Sequence, residues 1–291
     1  MKSWVLVGAL LIAQNAFAER IEREMAAQPG GEVQIVNVSG EVHVIGWDQP
    51  KVKLVAESRD SVDEIQFDRD DDVTRIRVRG TQGEAPTSAL KVQIPKGSTL
   101  VVRTVSASQR IENVTGEQRL QSVSGEIHTS IGEEDLEAKT VSGEIKVVGS
   151  GKEGSIRAST LSGEMYLERV AGEFELTSVS GEIDLRAGLI EEARINTTNG
   201  GVRVQGTLAD DGRIEAEAIN GSLDLKLAGK VSAQFDIESF NGSINNCFGP
   251  KAQRARDYGP GVVLRFSEGG EDVDARVRLK TLNGEIDLCR M

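Results

Sequence analysis

The chain has 291 residues and a formal net charge of −12, from 46 acidic and 34 basic side chains. This balance argues against a nucleic-acid surface, whose phosphates demand basic side chains, and equally against docking onto anionic lipid. Aromatic residues are only 4% of the chain, few for a sugar-stacking groove.

Residues 1–18 read as a secretory signal. Lys2 supplies the positive start, Trp4 to Ala13 the apolar core, and Ala16-Phe17-Ala18 the small-x-small pattern, placing cleavage between Ala18 and Glu19. The apolar run is too short to span a bilayer, and no later stretch approaches membrane length. The mature chain is therefore expected to be exported, periplasmic or extracellular, with no transmembrane segment.

Residues 19–110 read as an irregular all-β cap or the first coils of a larger array. Val33–Val38, Glu41–Ile45, Val52–Ala56, Thr74–Arg79, Leu90–Ile94 and Thr99–Val105 alternate apolar and polar residues as strands do, between Gly, Pro and Asp turns. Asp68, Asp70 and Asp72 imitate the start of a calcium loop, but Val73 replaces the required glycine and Arg79 the closing acid, so they read as an acidic turn.

From residue 111 to 291 a unit of about twenty residues repeats. Its signature is Ser-Gly or Asn-Gly followed by Glu, Ser or Gly and then an aliphatic residue. The motif glycines stand at 125, 143, 163, 181, 200, 221 and 242, spaced 18 to 21 apart, and at 284 after an interval of 42. Two residues after them come Ile127, Ile145, Met165, Ile183, Val202, Leu223, Ile244 and Ile286. Five before them stand Leu120, Ala138, Ala158, Leu176, Ile195, Ala216, Ile237 and Leu279, and three before them small, mostly hydroxylic residues. Each unit is thus a strand, a bend and a second strand, each with one buried face. A unit this short cannot bury its apolar face alone and must stack on its neighbours.

Two arrangements fit: a parallel solenoid with one unit per coil, or an antiparallel meander with Asn-Gly hairpins. The outward charges six residues before each glycine favour the first. Arg119, Glu137, Arg157, Glu175, Arg194 and Glu215 alternate in sign, followed in sequence by Asp236 and Arg278. Stacked coils make them direct neighbours in a charge ladder, whereas a meander separates them by an intervening strand. The expected fold is therefore all-β, a right-handed parallel β-solenoid with an N-terminal β cap. The Ser/Asn residue before each glycine is expected to form a hydrogen-bonded corner ladder.

Cys247 and Cys289 each stand five residues after a motif glycine. If the long interval is one enlarged coil they are neighbours within disulfide reach, and a bond is expected. The chain then ends with nothing left to cap the last coil, which leaves end-to-end self-association open.

This repeat grammar, with the signal segment, Gly-Trp-Asp at 46–48, Ile-Pro-Lys-Gly at 94–97 and Tyr-Gly-Pro-Gly at 258–261, resembles a bacterial putative-adhesin family of unknown function, the DUF4097 type. The resemblance covers nearly the whole mature chain and implies an exported β-solenoid with an adhesin-like role. The chain departs from the pattern at Val105-Ser106-Ala107-Ser108, where a motif glycine is expected.

Candidate chemistry is sparse. His43 and His128 are the two histidines, and neither has a second ligand at metal spacing. No Ser-His or Cys-His pattern points to a nucleophile. Glu126, Glu144, Glu164 and Glu182 would stack as a column, splayed into solvent or forming a weak divalent-cation stripe. No catalytic residue, metal site or cofactor is expected. The leading expectation is a non-catalytic binding or cell-envelope scaffold protein with an unknown envelope or extracellular ligand. The alternatives are a polysaccharide-acting β-helix enzyme and a self-assembling solenoid.

Overall fold

A computed structural model describes residues 19–28, 30–58, 62–80, 86–255, 259–270 and 273–291. The expected signal segment and Tyr258 lie outside the described residues. The described chain is all-β, with 24 strands hydrogen-bonded into one sheet and no helix among them.

The N-terminal strands are β1 (Glu19–Ala26), β2 (Glu32–Asn37), β3 (Ser39–Trp47), β4 (Lys51–Ser58), β5 (Val62–Asp70), β6 (Val73–Gly80) and β7 (Thr87–Pro95). Then follow β8 (Thr99–Thr104), β9 (Ser108–Glu112), β10 (Gln118–Gln121), β11 (Ile127–Ser130), β12 (Leu136–Thr140), β13 (Ile145–Val148) and β14 (Glu153–Thr160). Three long strands, β15 (Met165–Ser180), β16 (Ile183–Asn199) and β17 (Val202–Asn220), run through the looser turn between units, two of their pairings interrupted there by register shifts. The chain finishes with β18 (Leu223–Leu227), β19 (Ala233–Asn241), β20 (Ile244–Asn246), β21 (Gln253–Arg254), β22 (Val262–Glu268), β23 (Arg276–Asn283) and β24 (Ile286–Arg290).

Pairing resolves into two ladders. The strand before each motif glycine joins β2, β8, β10, β12, β14, the second halves of β15 to β17, β23 and β19, all parallel. The strand after it joins β7, β3, β9, β11, β13, the first halves of β15 to β17, β18, β24 and β20, again parallel. Antiparallel pairing is confined to the ends: β1 on β4 and β4 on β7, β5 on β6, and β22 on β19 and β21. The parallel register runs unbroken across residue 110.

Aliphatic side chains fill the interior. Ile127, Ile145, Met165 and Ile183 form one buried column, and Leu120, Ala138, Ala158 and Leu176 another. Backbones approach most closely at the bend. A Cβ on Gly163 would stand 1.9 Å from the Gly143 carbonyl oxygen, and one on Gly221 equally close to that of Gly200. Space at these corners therefore demands glycine. The hydroxylic residue three places earlier caps the bend: Ser122 Oγ, Thr140 Oγ1 and Thr160 Oγ1 accept the N–H of Gly125, Gly143 and Gly163. At the irregular unit, Ala107 is buried in the corner position and Gly125 stacks on its carbonyl, so that bend is made without glycine.

The C-terminal order differs from the sequence order. The β23–β24 unit inserts between β17–β18 and β19–β20, so Arg278 pairs in register with Glu215 on one side and Asp236 on the other. The expected Glu215–Asp236 neighbourhood is replaced by strict alternation, and like charges are kept apart. The end of the stack is also not bare. The long interval supplies β22 against β19, and Phe235, Phe248 and Phe266 cluster there with ring centroids 4.5 to 6.0 Å apart.

Candidate functional site

Strand parity points the residue three before each motif glycine inward, so the residue two before it points outward. That outward column is apolar. In stacking order it reads Val105, Val123, Val141, Leu161, Val179, Thr198, Ile219, Leu282 and Phe240, with the eight apolar members 38% to 51% exposed. At about 4.8 Å per rung the column is roughly 38 Å long. Isolated exposed aliphatics are ordinary, but a contiguous stripe marks an interaction surface. Inward-facing positions do not reveal this column; its signal is the first letter of each VSGEI or LSGEM, apolar where parity demands solvent.

The stripe is flanked by uncharged hydrogen-bonding groups. Asn220 Nδ2 donates to Asn199 Oδ1, Asn283 to Asn220, and Asn241 to Asn283, at 2.8 to 2.9 Å. The preceding units carry Ser124, Ser142 and Ser162 there, whose backbone N–H groups bond to the carbonyls of Val105, Val123 and Val141. On the other flank the register aligns Arg103, Gln121, Lys139, Ser159, Thr177, Asn196, Glu217, Lys280 and Glu238.

Toward its C-terminal end the stripe opens into a groove of about 660 Å³. Val179, Ile219, Leu282 and Phe240 form one wall, and Gly259, Pro260 and Gly261, from the Tyr-Gly-Pro-Gly segment, with Val262 of β22, form the other. Ser178 and Thr197 also line it, and their buried hydroxyls find no hydrogen-bond partner among the described residues.

The charge-ladder residues stand in register on successive rungs, and some of them pair across the rungs. Arg157 lies opposite Glu137 and Glu175, and its Nε is 3.4 Å from the Glu175 carboxylate. Arg278 reaches Glu215 at 3.3 Å, and Arg265 on β22 closes the series on Asp236 at 2.8 Å. Other members bond along their own strand: Arg119 to Glu117, Lys139 to Glu137, Arg194 to Glu192. The Lys139 contact, aided by the charges of Arg119 and Arg157, holds the Glu137 carboxyl below its ordinary range.

The remaining candidates take structural places. Cys247 and Cys289 are disulfide-bonded with Cα atoms 4.8 Å apart. His43 Nε2 lies 3.5 Å from Glu112, while His128 stacks between Arg110 and Lys146. Partial burial, with those two cations, pushes the His128 imidazole below its ordinary value. Glu126, Glu144, Glu164 and Glu182 are exposed on successive rungs. Glu164 accepts the Tyr166 hydroxyl, which pushes that phenol up to about 12, and Glu182 sits 3.8 Å from Arg203. Among the described residues no group of three His, Cys, Asp or Glu is placed to hold a metal ion. Asp70 pairs with Arg75 beside the β5–β6 turn. The Gly-Trp-Asp and Ile-Pro-Lys-Gly motifs meet each other, Lys96 bonding Asp48 at 2.9 Å and the Trp47 carbonyl through its backbone N–H.

No protein-family model matches the chain, and no curated protein does. Solved structures similar to it include a "putative adhesin" from Parabacteroides merdae (12% identity, 93% of this chain and 96% of that one, TM-score 0.38). Another, from Parabacteroides distasonis, is also a "putative adhesin" (12%, 94% and 98%, TM-score 0.33). A third, from the same organism, is a "putative lipid binding protein" (13%, 94% and 96%, TM-score 0.31).

Proposed function

We propose that this chain is an exported, non-catalytic binding protein of the DUF4097 adhesin-like type. It is a right-handed parallel β-solenoid whose aliphatic corner column is its contact surface. The observation that carries this reading is the exposed apolar stripe opening into the groove beside Gly259–Val262. The two in-register ladders support the solenoid, and the disulfide with the segment at residues 1–18 supports export to the periplasm or beyond. A rigid coil stack presents such a stripe without moving, so little ordering entropy opposes binding.

The test is binding of a neutral solvatochromic apolar dye to the purified exported chain. Binding is expected with a blue shift, and Ile219→Asp or Phe240→Asp should weaken it at least about tenfold while far-ultraviolet circular dichroism stays unchanged. Undiminished dye binding in both variants would remove the groove as the site.

A further inference from the structure

The stripe and its charged flank share a symmetry that single contacts do not show. Reversing the order of the nine rungs about the fifth, Val179, sets Val105 against Phe240, Val123 against Leu282 and Val141 against Ile219. A slim residue meets a bulky one in each pair. Leu161 then meets Thr198, and Val179 meets itself.

The same reversal acts on the flank four residues before each glycine. Arg103 falls opposite Glu238 and Lys139 opposite Glu217, while Thr177 lies at the centre. Both pairs are opposite in sign. Arg103 and Glu217 make no ion pair with any described residue of their own chain, so each has a charge to offer.

We propose that the ridge is a self-association surface, on which a second copy of this chain docks antiparallel about a twofold axis through Val179. An isologous contact requires a self-complementary patch, and this column is complementary only in the reversed direction. The groove fits the scheme. Its extra wall, Gly259 to Val262, stands beside the bulky half of the stripe, and the Val105–Val141 half of the second copy fills the space. Aliphatics form the centre of the contact and the ion pairs its rim, where they set direction more than affinity. The next column outward would pair like with like under the same operation, Arg119 on Arg278 and Glu137 on Glu215, which confines the contact to the ridge. This partner assignment rests on the reading of the stripe as a binding surface.

Sedimentation of the full exported chain across a wide concentration range should show a monomer–dimer equilibrium. Glu217→Lys should weaken it about tenfold, and adding Lys139→Glu in the same chain should restore it, because only the antiparallel register joins these positions. Val179→Cys should cross-link to itself on oxidation, whereas Val123→Cys should cross-link only when mixed with Leu282→Cys. The apolar dye should be displaced as dimer forms. A chain that stays monomeric at every concentration, or dimerises with Val123→Cys self-linking instead, overturns the proposal. Dye binding by such a monomer would leave the groove reading standing, whereas loss of both would remove the two together.

Discussion

Each motif glycine from Gly125 onward stacks its carbonyl against the next one, so at these rungs the corner leaves no room for a side chain. At Gly163 the obstacle is backbone, the Gly143 carbonyl oxygen, which cannot rotate away as a side chain would. Gly163→Ala should therefore open the corner between β14 and β15 and cost about 3 kcal/mol or more, read as a lower urea midpoint with an unchanged slope. An unchanged midpoint would mean that the stacked strands shift apart freely. One residue away, polar Ser and Asn exist for a different reason. They stand outside, where the Asn amides bond to one another from unit to unit and the Ser hydroxyls donate to the Val105, Val123 and Val141 carbonyls. Two residues before the glycine, the exposed aliphatics contribute little to the fold and so point to a partner.

At the scale of the strand, sign alternation and register reinforce one another. Individually the exposed ion pairs contribute about 0–1 kcal/mol, and several ladder members bond along their own strand. Their larger effect is on choice of partner strand. Without β23, β19 would dock on β17 with Asp236 facing Glu215; with β23 between them, Arg278 bonds Glu215 and stands in register with Asp236, which Arg265 holds. The disulfide holds that arrangement, because Cys247 follows β20 and Cys289 belongs to β24. It closes a 42-residue separation, for which chain entropy predicts a contribution of about 4 kcal/mol. Reduction should lower the unfolding midpoint accordingly. Identical midpoints with and without reductant would show that the β20–β24 pairing does not need the cross-link.

Across the whole molecule, stability should fall with acid in two stages. Burial, Lys146 and Arg110 lower the His128 pKa below 6.5, so the unfolded chain binds the proton first and stability declines as pH drops from about that value. Glu112 and Glu137, held below 4.5 chiefly by hydrogen bonds from Arg110 and Lys139, add a second loss at lower pH. His128→Gln should flatten the first stage and leave the second, as measured by urea midpoints from pH 7 to pH 3. A first stage that survives the substitution would locate it elsewhere.

Much of the architecture was written in local pattern. Period-two alternation around Ile127, Ile145 and Ile183 defines strands, and a repeat near twenty residues defines their spacing, because both arise from which side of one strand meets water. Cys247 and Cys289 were legible for the same reason, sharing one position of the repeat. Four matters needed tertiary structure: the insertion of β23 and β24 out of order, the packing of Phe248 and Phe266 over the last unit, the bend at Ala107 without glycine, and the wall that Gly259–Val262 raises beside Phe240. Each depends on contacts between residues far apart in the chain. A repeat says what stacks well, but not which of several equivalent edges the returning chain will choose; close packing and the charges on Glu215, Arg278 and Asp236 make that choice only when the strands meet.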